Sequence, residues 1–245
     1  MKTQRTSFYI ISILIMMLCA LTSYSQANSV AKDTAVFKQN YGLRLGGDIG
    51  KLVRSFLDDD YKGFEVNGDY RLTKKLYLAG ELGIEEKITG TDYLNTTAKG
   101  SYFKVGVDYN SYTNWLDMEN MIYGGFRAGL STFSQTLNSF TVYNTDQYWN
   151  EQFTNSSSQE YTGLSAIWAE LIFGIKVEVF NNLYVGLNGQ LKVIITQDEP
   201  VNFANLYVPG FNKIYDSGRL GFGYGYNISY LIPIFKKDKV VVPED

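Results

Sequence analysis

One stretch near the C-terminus constrains the whole chain. In Arg219 to Ile232 (RLGFGYGYNISYLI), Leu220, Phe222, Tyr224, Tyr226, Ile228 and Tyr230 fall at every second position. Gly221, Gly223, Gly225, Asn227 and Ser229 lie between them. A period of two belongs to a β-strand, whose side chains point alternately to opposite faces. One face here is apolar and aromatic, the other small and polar. In a soluble sheet the apolar face needs a second layer. In a membrane barrel lipid is enough.

The same alternation recurs upstream. Residues 41–50 place Tyr41, Leu43, Leu45, Gly47 and Ile49 on one face. Further strands are expected at 63–72, 76–86, 102–110, 122–132, 164–180 and 183–196. The predicted fold is all-β: an eight-stranded antiparallel transmembrane (outer-membrane) β-barrel. The segments match the ~9–11 residues that a tilted strand needs to cross a bilayer. Residues 73–75, 111–121 and 181–182 read as the shorter connections, with Asn181-Asn182 as a tight hairpin turn. Residues 51–62, 87–101, 133–163 and 197–218 read as the longer, external ones.

Charge divides the two faces. The polar face carries the acids Asp48, Glu65, Asp69, Glu81, Glu85, Asp108, Glu170 and Glu178. It also carries the bases Arg44, Arg71, Lys104, Arg127, Lys176, Lys192 and Arg219. The apolar face carries no charge in any of these segments. A soluble lipid-carrying barrel would hold its apolar face inside. Here the charges are expected inside, since an Arg or Lys facing mid-bilayer costs ~2–4 kcal/mol. An eight-stranded barrel is just wide enough for side chains to fill it. Near-equal acids and bases then point to a neutralising ion-pair network.

The N-terminus reads as a secretory signal peptide over 1–25. Lys2 and Arg5 precede the apolar run Phe8 to Leu21, and cleavage is expected near Ser25/Gln26. That run is shorter than the ~20 residues of a membrane span. The single cysteine, Cys19, falls inside the signal, and Leu18 before it is unlike a lipoprotein site. The processed chain then has no thiol chemistry. Loss of Lys2 and Arg5 takes the formal charge from -3 to about -5, which gives no reason to expect nucleic acid. Residues 26–39 read as a flexible lead-in, 40–235 as the barrel and 236–245 as a periplasmic tail, with Pro233 ending the last ladder.

Four stretches carry a family resemblance: DDDYKGFEVNGDYRLTKKLYLAGELG (58–83), NTDQYWNE (144–151), NLYVPGFNKIYDSGR (205–219) and NISYLIPIFKK (227–237). They resemble an uncharacterised outer-membrane β-barrel family, domain of unknown function 6048. The resemblance implies a barrel in the outer membrane and brings no catalytic residues.

The chain has no histidine, so Ser-His catalysis and histidine metal ligation are both excluded. No enzyme activity, cofactor or metal is expected. Gly46 to Lys51 is too short for a phosphate loop and precedes no helix pattern. Asp58, Asp59 and Asp60 are weak candidates for binding a divalent cation. Tyr143, Tyr148 and Trp149 in the long third loop are weak candidates for recognition anchors. The expected partners are outer-membrane lipid and lipopolysaccharide, the barrel-assembly machinery, and an extracellular or periplasmic protein. The expected role is structural or surface-interacting. The alternatives are a narrow channel or small-solute transporter, and a lipid-modifying enzyme that uses carboxylates alone.

Overall fold

A computed structural model describes residues 37–112, 119–142, 153–201, 203–215 and 219–239. Eight long strands form one antiparallel ring: β1 (Phe37–Asp48), β2 (Tyr61–Arg71), β3 (Leu76–Gly90), β4 (Leu94–Asn110), β5 (Met121–Val142), β7 (Gln159–Phe180), β8 (Leu183–Gln197) and β11 (Leu220–Lys239). Each pairs with its neighbour in that order, and β11 closes the ring on β1. Short β6 (Phe153–Asn155) extends the sheet beside the end of β5. A two-stranded ribbon, β9 (Tyr207–Val208) with β10 (Asn212–Lys213), and one helix, α1 (Ile49–Leu57), complete the described elements. No helix among the described residues is long and apolar enough to cross a membrane, which says nothing about strands.

The expected alternation decides which face is which. Phe64, Leu82, Ile84, Phe173, Phe222 and Tyr224 point outward and are exposed. Lys104, Asp108 and Glu170 point inward and are no more than 1% exposed. Inside, glycines stand beside rings. A Cβ on Gly83 would lie 2.3 Å from the Tyr102 ring, and one on Gly129 would lie 2.2 Å from Trp168. A narrow ring holds side chains this large only if some neighbouring positions carry none.

Several boundaries differ from the sequence expectation. Ile49 and Gly50 begin a helix rather than end a strand. Residues 87–101 are mostly strand, and only 91–93 separate β3 from β4. Pro233 does not end the last ladder. It sits opposite Gly42 at a register shift that skips Ile234, and pairing resumes at Tyr41↔Phe235. Proline has no N–H to donate, and a bulge is one of the few places where a sheet accepts it. Tyr41, expected on the apolar outer face, is buried there against Phe235 at a centroid distance of 5.3 Å. The signal segment with Cys19, most of the lead-in, residues 113–118 of the 111–121 connection, Tyr143, Tyr148, Trp149 and the end of the tail lie outside the described residues.

Candidate functional site

The inward charges form a ladder of ion pairs. Near the end of the ring where β1 begins and β11 ends, Arg71 pairs with Glu119 at 3.4 Å, and Glu119 also accepts from the Asn40 N–H at 2.6 Å. Burial lifts the Glu119 carboxyl above its ordinary value, in spite of Arg71. One layer further in, Asp69 takes Arg44 at 3.1 Å and Lys176 at 2.6 Å. The Arg44 guanidinium also lies over the Tyr184 ring at 4.5 Å. At mid-height Lys104 meets Glu81 at 2.7 Å, and Arg127 meets Asp108 at 2.8 Å. Above them Glu170 lies between Lys104 and Lys192 at 3.7 and 3.8 Å. Each buried charge therefore has an opposite charge nearby, which offsets the cost of leaving water. A cavity on this interior path has a volume of about 20 Å³, room for roughly one water.

The far end of the ring is capped from two sides. Asp48 begins α1 by accepting from the Lys51 N–H at 3.2 Å, the ordinary geometry of an N-cap. One turn of helix then aims the Lys51 side chain inward. Its amine donates to Glu85 at 2.6 Å, to Glu65 at 2.8 Å and to the Tyr102 hydroxyl. Burial alone would lower the Lys51 pKa, but Glu85 and Glu65 outweigh it and hold the amine above its usual 10.5. The second cap is the 205–213 segment, which turns at Gly210 with φ +81° and buries Tyr207, Val208 and Phe211. Glu85 holds it by accepting from the Tyr207 hydroxyl at 2.7 Å and the Gly210 N–H at 2.9 Å. Burial, and then the Glu85 charge, push the Tyr207 phenol well above its usual pKa. Between the caps lies a chamber of about 300 Å³, walled by Asp48, Lys51, Arg54, Lys87, Lys192, Lys213 and Tyr207.

Of the charges expected inside, Arg44, Asp48, Glu65, Asp69, Arg71, Glu85, Lys104, Asp108, Arg127, Glu170, Lys176 and Lys192 are buried. Glu81 and Glu178 are partly buried. Arg219 is not interior: it is exposed at a bend just before β11 begins, where alternation no longer governs direction. Of the three loop aspartates, Asp58 is taken by basic side chains, with Arg54 Nε and Lys87 Nζ both at 3.2 Å. Its slight burial is outweighed by Lys87 and then Arg54, so its carboxyl titrates below its usual value. Asp59 and Asp60 are exposed. Among the described residues no group of three or more acidic, cysteine or histidine side chains could hold a metal ion.

The chemically central residues missing from the sequence reading are Lys51, Glu119, Tyr102 and Tyr207. Lys51 had one available signal. Asp48 stands three residues before it, as an N-cap stands to the backbone it holds.

The family model described as "Domain of unknown function (DUF6048)" matches residues 6–237, so the chain belongs to that family. No curated protein matches the chain.

Proposed function

We propose that this member of a family of unknown function is an outer-membrane β-barrel with a packed polar interior, acting as a structural or surface-interaction protein through its capped end. The observation that carries this reading is the outer wall. On β7, Ile167, Ala169, Leu171, Phe173, Ile175, Val177 and Val179 face outward without a charge between them. That is ~40 Å of strand at ~3.3 Å per residue, or ~30 Å of height at a tilt near 40°. Outer-membrane barrels carry an apolar band ~25 Å tall. The exported chain would meet the assembly machinery first, and then outer-membrane lipid and lipopolysaccharide.

A narrow channel is the second reading, favoured by the density of inward charge. It is opposed by the 20 Å³ interior cavity and by the two caps.

The test is Tyr226→Arg. Tyr226 faces outward, is 51% exposed and lies near the middle of the apolar stretch of β11. Arginine there is expected to cost ~2–4 kcal/mol of insertion. Native protein should fractionate with the outer membrane and run with heat-modifiable mobility, while the variant loses both. A variant that inserts normally would count against the membrane reading.

A further inference from the structure

The ring is incomplete beside β1. β1 pairs with β2 only as far as Gly47↔Val66, and with β11 only as far as Asp48↔Asn227. β2 nevertheless continues to Tyr61 along β3, and β11 continues to Leu220 along β8. This leaves a wedge in the wall between residues 61–65 and 220–226, and α1 stands in it. The Ser55 hydroxyl stands in for a strand at the open edge of β2: it accepts from the Gly63 N–H at 2.8 Å, and its one proton is shared between the Lys51 carbonyl at 2.9 Å and the Gly63 carbonyl at 3.1 Å. On the other side Gly50 lies against Tyr226, so close that a Cβ would meet the ring at 3.0 Å.

The helix is amphipathic in the sense opposite to a soluble surface helix. Lys51 reaches the interior and Ser55 the edge of β2, whereas Phe56 and Leu57 are 87% and 81% exposed. Its apolar side continues the apolar outer wall. The chamber behind it is walled by the bases Lys51, Arg54, Lys87, Lys192 and Lys213, and among the described residues Asp48 is the only acid in its lining. Nearby carboxylates offset most of this charge, and Lys51 is already paired with both Glu65 and Glu85. Arg54 and Lys87 share Asp58, and Lys192 is 3.8 Å from Glu170 while donating to the Gly210 carbonyl. Lys213 lies over the Tyr215 ring. The chamber is also lined by Phe222 and Tyr224, which are 64% and 69% exposed on the outer face. It therefore opens sideways, between α1 and β11.

We propose that this lateral opening binds an anionic amphiphile, a lipid with its phosphate beside Lys213, which pairs with no carboxylate among the described residues, and beside Arg54 and Lys87, which share the one carboxylate of Asp58, and with its acyl chains along Phe222, Tyr224 and the apolar side of α1. The inference rests on the membrane reading above. It adds a ligand class that a packed barrel alone does not require. A basic side chain near an anionic lipid contributes ~1 kcal/mol, or about fivefold in affinity.

Native mass spectrometry of the detergent-solubilised full chain tests it, with insertion into phosphatidylcholine vesicles followed in parallel. The probes are phosphatidylglycerol, phosphatidylcholine of the same chain length, and glycerol phosphate. Phosphatidylglycerol should be retained at least ~10-fold more strongly than phosphatidylcholine, and glycerol phosphate should not be retained. Lys213→Glu, at an exposed position, should reduce that retention ~10-fold while insertion stays normal. Gly223→Leu, which places a side chain against Gln190, Lys192 and Asn212, should block it by filling the chamber. Normal insertion with equal retention of both lipids, or with retention unchanged in both variants, overturns the inference alone. Glycerol phosphate bound as well as phosphatidylglycerol also overturns it, in favour of a soluble anion. Failure of the native chain to insert overturns the membrane reading and this inference with it.

Discussion

Removing the Lys51 amine would leave Glu65 and Glu85, together with the Tyr61, Tyr102 and Tyr207 hydroxyls, around a buried gap. An unpaired buried carboxylate is far more costly than a lost surface contact, and breaking such a pair typically costs ~3–5 kcal/mol. Lys51→Met should therefore lower the urea midpoint of the folded protein and expose α1 and the 205–213 segment to protease. Adding Glu85→Gln should recover part of the loss, because Glu65 is then the one carboxylate left there and Lys104 lies 3.8 Å from it. The pH dependence follows from the sign of the shift. Lys51 binds its proton more tightly folded than unfolded. Its contribution is therefore complete below its ordinary pKa of 10.5 and fades only as pH rises beyond that. Near-ultraviolet circular dichroism from the surrounding tyrosines should stay flat from neutral pH to about 10.5 and change only above it.

At the scale of strands, the ladders tolerate extra volume unevenly. A Cβ on Gly106 in β4 would lie 1.8 Å from the Phe126 carbonyl oxygen of β5, a backbone atom that cannot swing away. Gly106→Ala is expected to destabilise by ~1–3 kcal/mol or more through forced strand displacement. Gly189→Ala in β8 meets nothing within 4 Å and should stay within ~0.5 kcal/mol of the native protein. Urea midpoints of the two variants, measured in the same micelles, check the contrast.

The strands were legible in the sequence where one face had to exclude charge. Leu82 between Glu81 and Gly83, or Val177 between Lys176 and Glu178, leaves little choice of direction. Beyond the apolar band both faces become polar. Lys87, Thr89, Thr96 and Lys99 then resemble a loop, although β3 and β4 pair there as far as Gly90↔Asn95. Helix α1 escaped notice for another reason. It is only 9 residues long, and it turns Lys51 toward the ring interior while exposing Leu52, Val53, Phe56 and Leu57. The long-range pairing of Lys51 with Glu65 and Glu85 depends on ring closure, and spacing along the chain could not supply it.

For the molecule as a whole, the question is whether these inward charges conduct or hold the ring shut. A conducting path needs continuous water and sites that ions can leave. Here Lys104 is 1% exposed and bound to Glu81 at 2.7 Å, and Arg127 is bound to Asp108 at 2.8 Å in the same layer. Trp168 and Phe211 meet edge to face at 6.1 Å beneath the second cap, and Glu85 anchors that cap. An ion crossing this interior would have to displace charges that are buried and already paired, which costs several kcal/mol per group. Purified native protein in a planar bilayer should therefore show no reproducible ion-selective steps. Lys104→Met should remain closed but lose stability, because Glu81, Glu65 and Glu170 lose their shared cation. Lys104→Met with Glu81→Gln should be more stable than Lys104→Met alone and equally silent. Regular conductance steps in the native protein would instead mean that the caps open and the ion-pair ladder rearranges into a path, and the packed-interior reading would give way to a channel.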